Sequence, residues 1–129
     1  MDGCPTSIIL FAHGSAVREA NRQVACLAEE VSTLAHCPVD CAFLEQAPPD
    51  LPAAVARAVE RGARRIVVIP YFLTMGVHVR NDLPRLIDRQ RNLFPGVEIL
   101  VGQSLGDYPG MAQLILDRVR ELLPSGAFA

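Results

Sequence analysis

Two histidines and one glutamate follow apolar runs that are typical of buried strands. His13 comes directly after SIILFA, Glu45 comes directly after VDCAFL, and His78 lies in YFLTMGVHVRNDLP, shortly after RIVVIP. Two imidazoles and a carboxylate suit a divalent metal that keeps open positions for an exchanging ligand. A lone histidine in a loop is more often a helix cap or a surface residue, and a lone glutamate is usually solvated. The chemistry therefore depends on whether the fold brings these three residues together.

The surrounding sequence predicts four strands that alternate with four helices. The strands are predicted over residues 7–12, 39–44, 65–70 and 97–101, and they are short, rich in β-branched residues and often apolar on both faces. The first two helices are predicted over 17–34 and 51–61, with Gly62 as a stop. Strands that alternate with helices indicate right-handed crossovers and a parallel sheet, so we predict an α/β fold.

The last two helices are predicted from other signals. The third is predicted to begin at NDLP, with Asp82 as its cap and Pro84 in its first turn. The fourth is predicted from near Asp107 to about residue 123. Its apolar residues are expected to face inward; they are Leu114, Ile115, Val119 and Leu122.

This topology predicts where the three polar residues lie. In open α/β sheets, ligands bind beyond the carboxyl ends of the strands, where the strand order reverses. His13, Glu45 and His78 all follow strands, so they fall on one rim of the sheet. If the strand order is 2-1-3-4, strands one and three are neighbours, and the two histidines flank the same crevice.

Length and composition narrow the class of protein. The chain has 129 residues, half of them hydrophobic, which fits one domain over residues 1–129. No apolar run approaches the roughly 20 residues of a membrane span, and the start of the chain lacks a basic leader, so we expect a cytoplasmic protein without membrane contact. The net charge of −2 argues against a nucleic-acid partner.

All twelve basic residues are arginine. Genomic base composition alone explains such a bias at least as well as function does. The functional interpretation is that guanidinium groups suit ligands with several carboxylates or phosphates.

The cysteines and one serine raise alternatives. Cysteines 4, 26, 37 and 41 are expected to be reduced thiols, and HCPVDC at 36–41 lacks the usual metal-ligand spacing, so core packing is favoured over a metal site for Cys37 and Cys41. GQSLG at 102–106 matches the G-x-S-x-G motif of serine hydrolases, with Ser104 as nucleophile. Every histidine precedes Ser104, however, so the order of an α/β-hydrolase triad cannot be assembled.

Several segments together resemble one family. ILFAHGS, REANR, AFLEQAPPDLPAAV, RRIVVIPYFLTMGVHVRNDLPRLI and LGDYPGM resemble the small CbiX-type sirohydrochlorin chelatases, the short class II tetrapyrrole chelatases. The resemblance implies a three-layer α/β/α fold with a four-stranded parallel sheet of order 2-1-3-4. It also implies insertion of a divalent metal into sirohydrochlorin on the routes to cobalamin or sirohaem, and pairing of this half-length chain into a homodimer.

The resemblance also implies roles for individual residues. His13 and His78 match the family's metal-handling and proton-accepting histidines, and Glu45 matches an assisting acid that some relatives lack. No tightly bound cofactor is implied, because Co²⁺, Fe²⁺ or Ni²⁺ is a co-substrate, with cobalt favoured. A non-catalytic carrier of metal or tetrapyrrole is the alternative.

The substrate itself suggests further binding residues. Sirohydrochlorin carries carboxylates around its edge, so Arg18 and Arg80 are candidates to bind them, although ordinary surface exposure is the favoured interpretation for each. Gly14, Ser15 and Gly76 are expected to leave room for the flat ring.

Overall fold

A four-stranded parallel sheet forms the centre of the fold. The computed structural model describes residues 5–126. The strands are β1 (Thr6–Ala12), β2 (Val39–Phe43), β3 (Arg65–Pro70) and β4 (Glu98–Val101), in the order β2-β1-β3-β4. The helices are α1 (Arg18–Ala35), α2 (Leu51–Glu60), α3 (Val77–Leu93) and α4 (Met111–Arg120), and a short 3₁₀ helix spans Leu105–Asp107. The predicted α/β class and strand order are confirmed.

Helices cover the sheet unequally on its two faces. On one face, α2 and α3 pack over β1, β3 and β4 in the main core, which includes Ile9, Phe11, Val55, Ala58, Ile66, Val68, Leu83, Ile87 and Ile99. On the other face, α1 packs over β1 and β2 through Val24 and Ala28, against Leu10 and Ala12. Because side chains alternate along a strand, β1 is buried on both faces, which explains its nearly continuous apolar run.

Local signals set the bounds of α2. The Asp50 carboxylate accepts a hydrogen bond of 2.9 Å from the Ala53 N–H, which caps the helix. Gly62 follows the helix end with φ +96°, a conformation that favours glycine. This helix begins at the predicted residue and ends one residue before the predicted end.

The predicted start of α3 was wrong. The helix begins at Val77, so Asp82 lies in its second turn instead of capping it, and Pro84 lies inside the helix. The residue before a proline disfavours helical conformation, which is why NDLP suggested a boundary. Leu83 and Ile87 flank Pro84 and are buried in the main core, so tertiary packing outweighs the missing proline N–H.

The prediction for the fourth helix was also wrong in two respects. Residues 105–107 form the separate 3₁₀ helix, and α4 itself runs only over Met111–Arg120. Its apolar side chains do not face inward: Leu114 and Ile115 are 54% and 60% exposed, and Leu122 beyond its end is 86% exposed. An amphipathic pattern predicts that the apolar side of a helix packs against another surface, but it does not identify that surface.

None of the helices within residues 5–126 combines the length and apolar character that a membrane span needs.

Candidate functional site

Backbone pairing beyond the strands holds His13 beside Glu45. The Leu44 N–H donates to the Ala12 carbonyl at 2.9 Å, and the Glu45 N–H donates to the His13 carbonyl at 3.1 Å. The β1–β2 ladder thus continues past both strand ends. The His13 Nε2 atom lies 3.5 Å from Glu45 Oε1, and both side chains are about half exposed.

Gly14 allows this close approach. It adopts φ +89°, and a Cβ at this position would overlap the carbonyl oxygen of Glu45. A side chain is therefore excluded both by the backbone conformation and by the neighbouring strand end. The structure gives Gly14 a packing role in addition to the room for a ligand that the sequence suggested.

His13 also contacts the backbone through its second ring nitrogen. Nδ1 lies 3.2 Å from the Gly14 carbonyl oxygen. A neutral imidazole with its hydrogen on Nδ1 can donate to this carbonyl and leaves the Nε2 lone pair for a metal ion, whereas a hydrogen on Nε2 can be donated to Glu45.

Asn21, which sequence reasoning missed, fastens the loop after His13 to α1. Its side-chain oxygen accepts from the Ser15 N–H at 2.9 Å, and its amide nitrogen donates to the Ser15 carbonyl at 2.8 Å. The Ser15 hydroxyl accepts from the Val17 N–H at 3.0 Å, just before α1 begins. Ser15 therefore shapes the loop through both its backbone and its hydroxyl, which retains a hydrogen to donate.

The loop at residues 71–76 connects β3 to α3 and is anchored at two points. The Tyr71 N–H donates to the Phe11 carbonyl at 2.7 Å, and the Phe72 ring packs edge-on against Phe11 with centroids 6.0 Å apart. On its other side, the Gly106 N–H donates to the Phe72 carbonyl at 3.2 Å. These contacts fix the start of α3 and with it the position of His78.

The sequence suggested that His78 lies in a loop, but the structure places it in the first turn of α3. It lines an open cleft of about 560 Å³ together with both other predicted residues. The full lining is His13, Leu44, Glu45, Phe72, Thr74, Gly76, Val77, His78, Val79 and Asp82. The structure thus places His13 and Glu45 on one side of a cleft that His78 lines from α3.

Asp82 is the residue of this cleft that sequence reasoning assigned to another role. It stands four residues after His78 in α3, and residues with that spacing share a helix face. Correct placement of the helix start would have revealed it.

The separation of His13 and Glu45 suits two ligands of one metal ion. Nitrogen and oxygen donors about 2.1 Å from a tetrahedral ion stand about 3.4 Å apart, close to the 3.5 Å between Nε2 and Oε1. Within residues 5–126, no three His, Cys, Asp or Glu side chains lie close enough together to hold an ion. The pair therefore offers two donors and leaves the remaining coordination positions to water or to a ligand.

The remaining predicted residues lie at different distances from the cleft. Gly76 lines it and caps α3, and a Cβ there would meet no atom within 4 Å. Arg80 lines an adjoining cavity of about 730 Å³ between α3 and the segment after β4, and the two cavities share Thr74. Arg18 is the exposed first residue of α1 and does not line either cavity.

Within residues 5–126, His36, Cys37 and Cys41 do not belong to any group of three side chains that could hold a metal ion. Cys26, Cys37 and Cys41 are free thiols, and burial raises the pKa of Cys41 above its ordinary value. His36 is the C-cap residue of α1 and adopts a left-handed backbone conformation with φ 56°, which is a structural role. Cys4 lies outside the described residues.

Ser104 precedes the 3₁₀ helix and lines the larger cavity beside Arg80. No histidine contributes to that cavity in the described part of the chain. The geometry therefore gives no support to a serine hydrolase.

Comparisons with known proteins agree with this fold. The chain is 29% identical to a sirohydrochlorin cobaltochelatase of Methanopyrus kandleri. The alignment covers 91% of this chain and 96% of that enzyme. Among solved structures it resembles a CbiX protein of cobalamin biosynthesis from Marinobacter aquaeolei, with a TM-score of 0.81, 34% identity and coverage of 92% of this chain and 97% of the other. It matches SirB of Bacillus subtilis, solved with Fe³⁺, with a TM-score of 0.81 and 27% identity, over 92% of this chain but 48% of SirB.

The chain thus spans nearly the whole of its short relatives and about half of the long ones. The CbiX family model matches residues 7–122, which is most of the sequence. This match includes every residue of the cleft. The chain belongs to the CbiX family.

Proposed function

We propose that this protein is a sirohydrochlorin chelatase, a lyase that inserts a divalent metal into the macrocycle. The observation that carries the proposal is the pair of donor atoms His13 Nε2 and Glu45 Oε1, 3.5 Å apart on a cleft that His78 also lines. Membership of the CbiX family and the cobaltochelatase and ferrochelatase activities named for relatives support it. Cobalt is the favoured metal, ferrous iron comes next and nickel third, and the product would serve cobalamin or sirohaem synthesis.

The chemistry requires a metal donor and a proton acceptor near the ring. The metal ion is a co-substrate, and the ring loses its two pyrrole protons as the ion enters, so charge is balanced by release of two protons. In the proposed reaction, His13 and Glu45 present the ion, and His78 faces the ring from α3 and accepts one pyrrole proton. His13, freed as the ion enters the ring, accepts the second proton, and both protons then pass to water. Neutral imidazole can perform both tasks near neutral pH.

The rim offers groups for the carboxylates of the macrocycle. We assign Arg80 to a carboxylate that reaches the adjoining cavity, and Arg18 to one above the start of α1. Gly14, Ser15 and Gly76 would lie under the ring, because they carry small side chains or none. The first turn of α3, which has no side-chain cap, adds free N–H donors at the same edge.

The state of the protein in the cell is part of the proposal. We propose a homodimer, supported by long relatives that this chain matches over about half their length. A cytoplasmic location is supported by the free thiols of Cys26, Cys37 and Cys41.

Turnover separates this enzyme from a carrier of metal or tetrapyrrole. Sirohydrochlorin absorbance would be followed with a molar excess of ring over protein, in the presence of Co²⁺, Fe²⁺ or Ni²⁺ and against a protein-free control. Conversion of many ring equivalents per protein, faster than the control, is the expected result. Binding of metal or ring with conversion no faster than the control would refute the chelatase and leave the carrier.

A further inference from the structure

A further cavity adjoins the cleft between α2 and α3. It has a volume of about 420 Å³ and shares Leu44 and Asp82 with the lining of the cleft. Leu51 at the start of α2 lines one side of it, and Arg85 and Arg89 of α3 line the other. We call it the α2–α3 cavity. A ligand held over the cleft can therefore extend into it.

One face of α3 runs from the cleft along this cavity. His78, Asp82, Arg85 and Arg89 follow each other at intervals of three or four residues, the spacing of a single helix face. At the rise of an α-helix, Arg85 stands about 10 Å beyond His78 along the axis. That distance is comparable to the reach from the centre of a tetrapyrrole to the end of a propionate arm.

The two arginines of the cavity have no partner of their own. Among residues 5–126, neither Arg85 nor Arg89 forms an ion pair, although Asp82 stands three residues before Arg85. The same spacing on the same helix brings Arg91 within 3.5 Å of Asp88. Two guanidinium groups one turn apart also repel each other, and an anionic ligand between them would relieve that repulsion.

The carboxylates that line the cavity do not cancel its positive charge. An oxygen of Asp50 accepts the Ala53 N–H at 2.9 Å and caps α2, so its charge lies against the positive end of that helix. Asp82 then remains opposite the two guanidinium groups of Arg85 and Arg89. The balance favours an anion over a cation as the occupant.

Apart from its charged residues, the cavity is lined by apolar side chains. Phe11, Phe43 and Leu51 are each no more than 3% exposed, and Leu86 and Pro52 are half-buried. Methylene groups are stabilised by contact with such a surface. A small inorganic anion would leave the apolar lining unused, whereas a carboxylate on a short alkyl chain matches both parts of the cavity.

We propose that the α2–α3 cavity is a subsite for one propionate arm of sirohydrochlorin and that Arg85 binds its carboxylate. Arg89, one turn farther from the cleft, adds positive charge at the far end. An acetate arm is one methylene shorter and would not extend as far along α3. The subsite therefore selects a propionate edge of the ring and orients the macrocycle over the cleft. The inference rests on the proposed function and adds a substrate-binding residue to it.

Binding of the metal-free ring tests the subsite without turnover. Sirohydrochlorin would be titrated into wild type and Arg85→Gln without metal, and its absorbance would be followed. The Kd is expected to rise at least about 10-fold in Arg85→Gln, because a charge-assisted hydrogen bond is lost. Arg57→Gln is the matched control. It removes the same charge from an exposed position of α2 outside the cavity, and its Kd should stay within about twofold of the wild type.

Kinetics separate ring binding from metal handling. In Arg85→Gln the KM for sirohydrochlorin should rise at least about 10-fold while kcat stays within about threefold, because the lost contact holds the ring equally before and during metal insertion. The affinity for Co²⁺ alone should be that of the wild type. An unchanged urea midpoint would verify that each variant is folded.

Thiol labelling locates the arm independently of Arg85. Arg89→Cys protein would be treated with iodoacetamide with and without a saturating concentration of the ring, and peptide mass spectrometry would measure labelling at that site. The ring is expected to slow labelling of Arg89→Cys and to leave labelling of Arg57→Cys unchanged.

Three results would overturn the subsite: a Kd of Arg85→Gln equal to that of Arg57→Gln, a loss of kcat without a change in Kd, or labelling of Arg89→Cys at the same rate with and without the ring. A wild type that neither binds nor converts sirohydrochlorin would refute the proposed function itself. A wild type that does both, beside an Arg85→Gln variant with the same Kd and KM, would refute the subsite alone.

Discussion

Replacing Gly14 with alanine should destabilise the protein and separate Glu45 from His13. The residue has φ +89°, and its added Cβ would overlap the Glu45 carbonyl oxygen. The left-handed backbone alone costs an L-residue roughly 1–2 kcal/mol. Relief of the overlap requires movement of Glu45, whose N–H hydrogen bond to His13 contributes about 1 kcal/mol.

These contributions give an expected loss of about 2–3 kcal/mol in the free energy of unfolding. Urea unfolding would measure it. With a denaturant slope of about 1.5 kcal/mol per molar, the midpoint should fall by about 1.3–2 M.

Gly76→Ala is the matched control in the same cleft. A Cβ at Gly76 meets no atom within 4 Å, and its φ of −70° suits any residue. Its midpoint should fall by no more than about 0.7 M, the effect of a poorer helix cap. An unchanged midpoint in Gly14→Ala, or equal losses in the two variants, would refute the packing role given to Gly14.

Two further predictions concern the chemistry of the cleft and of the thiols. Glu45→Gln should weaken Co²⁺ binding by about 10–100-fold in calorimetry, because one of two donors loses its charge. Glu30→Gln, at an exposed position of α1, should bind Co²⁺ normally, and equal affinities of the two variants would contradict the paired-donor site. Cys41 should react with iodoacetamide at about pH 8 at least 10-fold more slowly than the exposed Cys26, because burial raises the pKa of Cys41 and shields its sulfur; equal rates by peptide mass spectrometry would oppose this.

Local patterns predicted the parts of the fold that local interactions determine. The strands follow from apolar runs, and the bounds of α2 follow to within one residue from its apolar spacing and the Gly62 stop. The strand order came from the family resemblance and not from a local pattern. The start of α3 was not predicted correctly from local signals, because packing of Leu83 and Ile87 in the core overrides the local effect of Pro84. The exposure of α4 was not predicted, because a local pattern shows that one side of a helix is apolar but not which surface it packs against.

The site was likewise predicted only in part from the sequence. Topology alone predicted that His13, Glu45 and His78 share a rim, because the residues after parallel strands meet at one edge of a sheet. The earlier start of α3 changed the details, since it places Asp82 on the cleft and Arg80 on the adjoining cavity. The 3.5 Å between His13 and Glu45 depends on the Gly14 turn, whose geometry appears only in three dimensions.

The central claim is that His13 and His78 carry metal insertion into sirohydrochlorin. Its most direct test is the initial rate of sirohydrochlorin conversion with Co²⁺ for His13→Ala and His78→Ala, beside His36→Asn as a control. His36 ends α1 in a left-handed conformation that asparagine tolerates, and it does not line the cleft. We predict a loss of at least about 100-fold in each of the first two variants and a wild-type rate in the third. Wild-type rates in both His13→Ala and His78→Ala would contradict the account.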